Sequence, residues 1–218
     1  MSYLSRIDHA FSDAPVLPLS ENGRYVLFSD CHRGIGTSND NFLKNQHLYF
    51  AALNYYYQHS FCYIELGDGD ELWENRSFSA IQNIHSNVFW LLSLFYEEHR
   101  LFMLFGNHDI AKKDFHPFSD CCFHEGLRLK DCVTGQELYL THGHQADFFN
   151  STLWRLSCFL VRYLWKPLEQ FGVLDPTSAA KNYKVKNKTE RRLQEWTKIH
   201  KKILITGHTH RPVLGSKN

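Results

Sequence analysis

Strand-length apolar runs alternate with longer amphipathic stretches along the first half of the chain. The runs at 25–28, 61–66 and 101–105 have the length of buried strands, and polar residues follow each of them. The stretches at 42–59 and 77–98 are predicted helices, since the second carries apolar residues at helical spacing. Such β-α-β-α-β alternation predicts a parallel sheet covered by helices.

The second half of the chain has a different pattern. Two short strands are predicted near 127–130 and 137–141, joined through a turn at Thr134-Gly135. A short connection of this kind is typical of an antiparallel pair. The remaining predicted elements are a long helix at 147–171, a turn around Gly172 and Asp175-Pro176, a basic helix at 187–201 and a strand at 203–206.

The composition is that of a folded globular protein, with a length that suits a single domain over 1–218. Hydrophobic residues make up 43% of the chain and charged residues 22%, which excludes a disordered or collagen-like protein. The longest apolar run, 88–96, is too short to span a membrane, and the N-terminal segment has no apolar signal core. Six cysteines are too sparse for a disulfide framework, so we expect reduced thiols and a cytoplasmic protein.

Charge is distributed unevenly along the chain. Residues 1–120 carry 15 acidic and 8 basic side chains, whereas 121–218 carry 8 acidic and 16 basic ones. The strongest basic run is 181–202. This asymmetry has two interpretations, a solvated helix face or a surface that meets an anionic substrate. The run has no recognisable nucleic-acid motif beside it, so no specific nucleic-acid partner is expected.

Polar clusters with Asp, Asn or His follow five of the predicted strands, usually beside glycine. In open α/β sheets, ligands bind at the carboxyl ends of the strands, because the loops there converge on one crevice. We therefore expect the five clusters to meet. In chain order they are Asp30-Cys31-His32, Gly67-Asp68, Gly106-Asn107-His108-Asp109, His142 and Gly207-His208-Thr209-His210.

These clusters offer carboxylate, amide and imidazole donors for metal ions. Such a mixed oxygen and nitrogen set suits Mn²⁺, Fe, Zn²⁺ or Co²⁺ better than a structural zinc site. Seven candidate ligands are enough for two ions about 3.5–4 Å apart, an arrangement that supports phosphoryl displacement. In an extended segment, residues two apart point to the same side, so Asp30 with His32 and His208 with His210 are each predicted to face one centre.

The ordered set DxH…GD…GNHD…H…GHxH resembles that of the calcineurin-like metallophosphoesterases and extends from Asp30 to His210. The resemblance implies an α/β fold, a four-layer αββα sandwich, with a helical insertion before the last motif. It also implies two divalent metal ions, with Mn²⁺ the first expectation and Fe, Zn²⁺ or Co²⁺ as alternatives. By the resemblance, Asp30, His32 and His210 hold the first ion, Asn107, His142 and His208 hold the second, and Asp68 bridges the two.

The implied activity is hydrolysis of a phosphate monoester or diester by a hydroxide that bridges the two ions. His108 matches the family's general acid, and Asp109 would orient its imidazole. The family's second motif is usually GDxxD, whereas this chain has Glu71 in the last position and an additional carboxylate at Asp70. Neither is assigned to a metal, and second-sphere hydrogen bonding and surface charge both remain open for them.

Two arginines follow the first and last motifs and are candidates for binding the phosphoryl group. An arginine fork fits phosphate well, so Arg33 and Arg211 are predicted substrate contacts. The alternative for each of them is an exposed guanidinium in an ordinary surface ion pair.

The segment 147–201 is the predicted helical insertion. Its apolar stripe is either a helix packed on the domain or a lid that receives the apolar part of a substrate. In a lid, Trp154 and Phe159 would bind substrate, and interspersed cations would favour anionic lipid head groups and peripheral membrane contact. The stripe contains Phe149, Leu153, Leu156, Leu160, Leu164, Leu168 and Phe171.

This insertion also resembles that of the UDP-2,3-diacylglucosamine hydrolases, which cleave a pyrophosphate. The alternative function is therefore a pyrophosphatase that acts on a nucleotide-linked lipid. His108 departs from that subgroup, whose members usually have arginine there, and this departure favours a general phosphoesterase. Two minor alternatives are a nuclease and a non-catalytic scaffold, and the second conflicts with the presence of all seven candidate ligands.

Overall fold

The computed structural model describes residues 1–37, 40–114, 118, 123–165, 168 and 182–215, which form eight strands and seven α-helices. The strands are β1 (Val16–Leu19), β2 (Tyr25–Phe28), β3 (Cys62–Leu66), β4 (Leu101–Leu104), β5 (Phe123–His124), β6 (Gly126–Asp131), β7 (Glu137–Thr141) and β8 (Ile203–Ile205). The helices are α1 (Tyr3–His9), α2 (Gln46–Gln58), α3 (Phe78–Ile84), α4 (Ser86–Glu97), α5 (Phe148–Ser151), α6 (Trp154–Leu160) and α7 (Tyr183–His200).

The first sheet is parallel throughout and has the strand order β2-β3-β4-β5. Its strands are short apolar runs, and β3 is buried along nearly its whole length. Residues of α2 and α4, among them Leu53, Leu92 and Phe95, form a core with Tyr63 and Met103 on one face of this sheet. The predicted parallel α/β unit is confirmed.

The second sheet has the order β1-β6-β7-β8 and packs against the first. Strands β6 and β7 are antiparallel, as predicted, and the turn between them places Gly135 at a φ of 72°. Between the two sheets, Ile64 and Leu104 belong to the same core as Leu127 and Leu140. Strands β1 and β5 and helix α1 have no counterpart in the sequence prediction.

Helices α1 and α7 cover the second sheet. Leu193 and Trp196 of α7 pack with Phe11 and with Tyr139 of β7. The indole Nε1 of Trp196 donates a hydrogen bond of 2.8 Å to Asp8. The C-terminal part of the predicted insertion is therefore a packed helix that covers the sandwich, and α7 begins at 183 rather than at 187.

Two predicted long helices are interrupted. The stretch 77–98 is divided between α3 and α4 at His85, whose buried Nε2 lies 2.9 Å from a carboxylate oxygen of Asp40. The stretch 147–171 contains α5, α6 and a π-helical turn at Val161–Trp165, with Leu153 outside helical geometry between the first two. A periodic apolar pattern does not reveal such breaks, because the stripe continues across them. The predicted turn around Gly172 and Asp175-Pro176 lies outside the described residues.

Two further sequence predictions concern cysteines and membrane spans. The cysteines at 31, 62, 132 and 158 are free thiols, whereas Cys121 and Cys122 lie outside the described part of the chain. Among the helices that the structure describes, none combines the length and apolar character needed to cross a membrane.

Candidate metal centre

The five predicted polar clusters meet where strands β2, β3, β4, β7 and β8 end. Backbone hydrogen bonds join their loops: the Asp30 amide donates to the Gly67 carbonyl at 3.1 Å, and the Gly207 amide donates to the His142 carbonyl at 3.0 Å. The His208 amide donates to the carboxylate of Asp30 at 3.1 Å. Side chains far apart in sequence are thereby brought into one crevice.

The first group of candidate ligands contains Asp30, His32 and His210, whose donor atoms all lie within 4.8 Å of one another. Nε2 of His210 is 3.1 Å from a carboxylate oxygen of Asp30 and 3.4 Å from Nε2 of His32. Burial raises the pKa of Asp30, but the hydrogen bond with His210 and the nearby His142 lower it more. The carboxylate is therefore ionised at neutral pH.

The second group contains Asp68, His142 and His208, which are all buried and also lie within 4.8 Å of one another. Nε2 of His208 and Oδ1 of the buried Asn107 have no hydrogen-bond partner among the described residues, and Nε2 of His142 faces the Asp68 carboxylate. Buried polar atoms are nearly always satisfied in folded proteins, so the unsatisfied nitrogen and oxygen atoms are suited to binding a cation. Burial and nearby His142 lower the pKa of His208 to about 3, and the neutral imidazole is the form that binds metal.

Two of the histidines are oriented from outside the centre. Nδ1 of His142 donates to the Leu66 carbonyl at 2.9 Å, and Nδ1 of His32 lies 2.9 Å from a Glu71 carboxylate oxygen. In a metal-binding histidine, one ring nitrogen usually donates a hydrogen bond to a carbonyl or carboxylate oxygen, and the other binds the metal. Both Nε2 atoms are left to face the cluster.

Asp68, a member of the second group, also faces the first group. Its Oδ2 is 3.1 Å from Nε2 of His142 and 3.9 Å from Nε2 of His32, and its Oδ1 accepts the amide hydrogen of His108. Burial raises its pKa, but His142 and His108 lower it well below the ordinary value for aspartate. An ionised carboxylate in this position faces both groups, which fits a ligand shared by two cations.

Five of the candidate ligands have a left-handed backbone, with φ between 48° and 72°. Asp30 and His32 share one group, as predicted, although through a turning rather than an extended backbone, whereas the prediction that His208 and His210 face the same centre is wrong. The chain turns sharply at these positions, so His208 joins the second group while His210 joins the first. Non-glycine residues in this region are strained, and such strain is concentrated at functional sites. The five are Asp30, His32, Asp68, His208 and His210.

Glycines allow the loops to approach one another. Gly67 has a φ of 93°, and a Cβ there would lie 2.5 Å from the Gly106 amide nitrogen. A Cβ at Gly106 would lie 2.1 Å from Oδ1 of Asp68. Any side chain at either position would displace the loop that carries Asp68.

His108 lies at the edge of the centre, with its side chain 23% exposed. Its Nδ1 is 2.8 Å from a carboxylate oxygen of Glu71, and its ring stacks on that of Trp73 at a centroid distance of 4.4 Å. Burial lowers the pKa of His108, but Glu71 and Asp68 outweigh this effect and raise it to about 10. One carboxylate thus contacts both His108 and the candidate ligand His32.

The expected contact between Asp109 and the imidazole of His108 is wrong. The buried carboxylate of Asp109 accepts backbone amide hydrogens from Asp68, Gly69 and Gly106, at 3.1, 3.0 and 2.7 Å. It is therefore fully engaged in holding two loops together. Glu71 is the residue that orients His108. The sequence contained a signal for this role, because Glu71 follows Asp68 by three residues, the same spacing as in the GDxxD motif.

Arg33 is also not where the sequence interpretation placed it. Its side chain is fully buried, with Nε 2.7 Å from Asp70 and Nη2 2.9 Å from Glu65. The guanidinium points away from solvent because two buried carboxylates require a cation. A phosphoryl contact by Arg33 is excluded by this burial.

The remaining predicted substrate residues are Arg211, Trp154 and Phe159. Arg211 donates through Nε to Glu190 at 3.0 Å and through Nη2 to Asn187 at 3.2 Å, which ties it to α7. Trp154 is half-buried at the start of α6 with the ammonium of Lys113 6.0 Å from its ring, and Phe159 is exposed. Substrate binding by these three remains a prediction.

The donor atoms of the two groups are carboxylate oxygens and imidazole nitrogens, and Asn107 would add an amide oxygen. In the described part of the chain, no cysteine belongs to either group. This set suits divalent ions such as Mn²⁺, Fe²⁺, Zn²⁺ and Co²⁺.

No protein-family model, curated protein or solved structure matches the chain.

Proposed function

We propose that this protein is a calcineurin-like metallophosphoesterase, a hydrolase that uses two divalent metal ions to cleave a phosphate monoester or diester. The observation that carries the proposal is the two groups of candidate ligands that meet at Asp68, where buried Nε2 of His208 and Oδ1 of Asn107 lack hydrogen-bond partners among the described residues. Two packed sheets with helices on both outer faces are compatible with the four-layer sandwich of that family.

The residues would hold the ions as two sets that share one carboxylate. Asp68 is the shared ligand, since its Oδ2 faces histidines of both groups. The first set is Asp30, His32 and His210, and the second is Asn107, His142 and His208.

The proposed reaction requires a nucleophile and a proton donor. Bound ions would supply Lewis acidity and an activated water at neutral pH. His108 would protonate the leaving oxygen through Nε2, because Glu71 holds its Nδ1 and the partly exposed ring borders the crevice. Glu71 would also keep His32 and His108 in fixed relative orientation.

Metal removal tests this proposal. We expect the purified protein to hydrolyse p-nitrophenyl phosphate or bis(p-nitrophenyl) phosphate with Mn²⁺, to lose this activity in excess chelator, and to regain it on adding Mn²⁺. Elemental analysis should give two ions per chain in the active form. Full turnover by protein verified to be metal-free would overturn the proposal, and the ratio of the two substrates separates monoesterase from diesterase.

A second candidate is cleavage of a pyrophosphate linked to a lipid, and the exposed apolar side chains near α6 favour it. Leu156, Phe159 and Tyr163 are 48%, 58% and 51% exposed. This segment borders the centre, because Arg162 donates to the Trp73 carbonyl at 2.7 Å and Trp73 stacks on His108. Apolar side chains in this place could receive the acyl part of a substrate whose phosphate lies at the metal centre.

The variants Trp154→Ala and Phe159→Ala test whether these side chains bind the acyl part of a substrate or only pack on the protein. If the segment binds acyl chains, each variant should lose more kcat/KM on an acylated nucleotide pyrophosphate than on p-nitrophenyl phosphate. Leu48→Ala, at an apolar position on α2 that is more exposed than Phe159, serves as the control and should change neither rate. Equal losses on both substrates would contradict a role in lipid binding.

A further inference from the structure

A lysine is buried directly beneath the candidate metal centre. Lys112 has no exposed surface, and its Nζ lies 2.5 Å from Asp70 Oδ2, 2.8 Å from Asp109 Oδ2 and 3.6 Å from Glu65 Oε1. Burying an ammonium is costly unless anions and hydrogen bonds compensate for the lost hydration. Here, three carboxylates surround it.

These carboxylates connect the loops that carry the candidate ligands. Asp70 follows the loop of Asp68, and its other oxygen accepts from Nε of Arg33 at 2.7 Å. Arg33 follows His32 directly in sequence, and its amide donates to the Gly69 carbonyl at 3.0 Å. The ammonium of Lys112 is therefore linked through Asp70 to the first and second loops.

Asp109 completes the connection to the third loop. Its Oδ2 accepts from Lys112 and from the Gly69 amide, and its Oδ1 accepts from the amides of Asp68 and Gly106. The position of this carboxylate thus fixes the backbone on either side of Asp68 and just before Asn107. Lys112 is the only charged donor to Asp109 among the described residues.

We infer that Lys112 is a positioning residue for the metal centre, and this inference rests on the proposed function. Its ammonium holds Asp70 and Asp109 so that the three loops with Asp30, His32, Asp68 and Asn107 keep the spacing that two cations require. The lysine itself touches none of these four side chains. Changes beyond the direct ligands usually weaken metal affinity by about 10- to 100-fold.

The test is Mn²⁺ affinity in a variant that removes the ammonium but keeps the side-chain length. We expect Lys112→Met to bind Mn²⁺ about 10- to 100-fold more weakly by calorimetric titration. The signal of an exchange-coupled Mn²⁺ pair in electron paramagnetic resonance should weaken as well. The control is Leu53→Ala, which creates a cavity in the core where α2 is fully buried. It should lower the melting temperature and leave Mn²⁺ affinity unchanged.

A second variant separates positioning from stability. Lys112→Met removes the ammonium that contacts Asp109 and leaves Arg33 to compensate Glu65 and Asp70, so it is expected to lower the melting temperature. In Lys112→Met with Asp70→Asn, one negative charge is removed as well, so stability should recover while Mn²⁺ binding stays weak. If the single variant does not fold, Mn²⁺ affinity is measured on this double variant instead.

The outcomes distinguish this inference from the proposed function. If the unmodified protein binds no Mn²⁺, the proposed function fails. If it binds two Mn²⁺ ions and either Lys112 variant binds them with unchanged affinity and pair signal, the inference about Lys112 is overturned while the proposed function stands. Weak binding in both variants with normal binding in Leu53→Ala supports positioning.

Discussion

Asp68→Asn is expected to abolish paired metal binding and nearly all turnover. The amide has the same shape as the carboxylate, and its oxygen can still accept the hydrogen bond from the His108 amide, whose nitrogen lies 2.7 Å from Oδ1 of Asp68. The substitution removes the negative charge that lies 3.1 Å from His142 and 3.9 Å from His32. Without it, neither group retains the ligand that both would share. The measurements are metal content per chain and kcat with p-nitrophenyl phosphate.

Asp114→Asn is the matched control, since it makes the same chemical change at an exposed position four residues after Ile110. It should retain both ions and full turnover. If Asp68→Asn kept a near-native rate and two bound ions, Asp68 would not be the ligand shared by both ions. The proposed two-ion arrangement would then be refuted.

His108→Ala should separate metal binding from catalysis. Its ring is held at Nδ1 by Glu71 and belongs to neither of the two ligand groups, although it forms a further donor cluster with His32 and Glu71, and we expect two metal ions still to bind. Loss of a general acid typically costs about 10²- to 10⁴-fold in rate, and we expect kcat to fall by this amount. The loss should be larger for a phenyl phosphate than for p-nitrophenyl phosphate, because the poorer leaving group depends more on protonation.

His47→Ala, on the exposed side of α2, is the control and should change neither metal content nor rate. Loss of metal in His108→Ala would make His108 a ligand instead of an acid. A rate loss that is equal for both leaving groups would argue against proton donation.

The meeting of five scattered clusters could be predicted from the sequence, because strand-length apolar runs end at polar residues throughout the chain. Parallel strands bring their carboxyl ends to one edge, so a sequence that repeats this pattern specifies where its polar ends gather. The positions of Asp68 and His142 in the centre follow from that rule. The division of the ligands into two groups came instead from the resemblance to a known family.

The directions of individual side chains could not be predicted in the same way. Arg33 follows His32, yet buried Glu65 and Asp70 draw its guanidinium inward. Asp109 neighbours His108, yet its carboxylate receives backbone amides from two loops. Both errors arose chiefly because competing partners such as Glu65 and the Asp68 amide are distant in sequence and become visible only when the strands are assembled.

The helical half was predicted less completely than the strands. Apolar periodicity located the helical stretch that contains α6, and the basic segment predicted α7, but neither showed that α7 covers the second sheet through Leu193 and Trp196. An apolar helix face has the same spacing whether it packs on its own domain or on a ligand. The break at His85 depends on Asp40, which no local pattern connects to it.

The left-handed backbone at five candidate ligands has a consequence for how this protein could change over evolution. Each such residue costs about 1 to 3 kcal/mol relative to a relaxed conformation. Glycine would adopt these angles without that cost, but it has no side chain to offer a cation. Selection for stability alone would therefore favour glycine at these positions and remove the ligands. The ligands persist only under selection for the function of the centre.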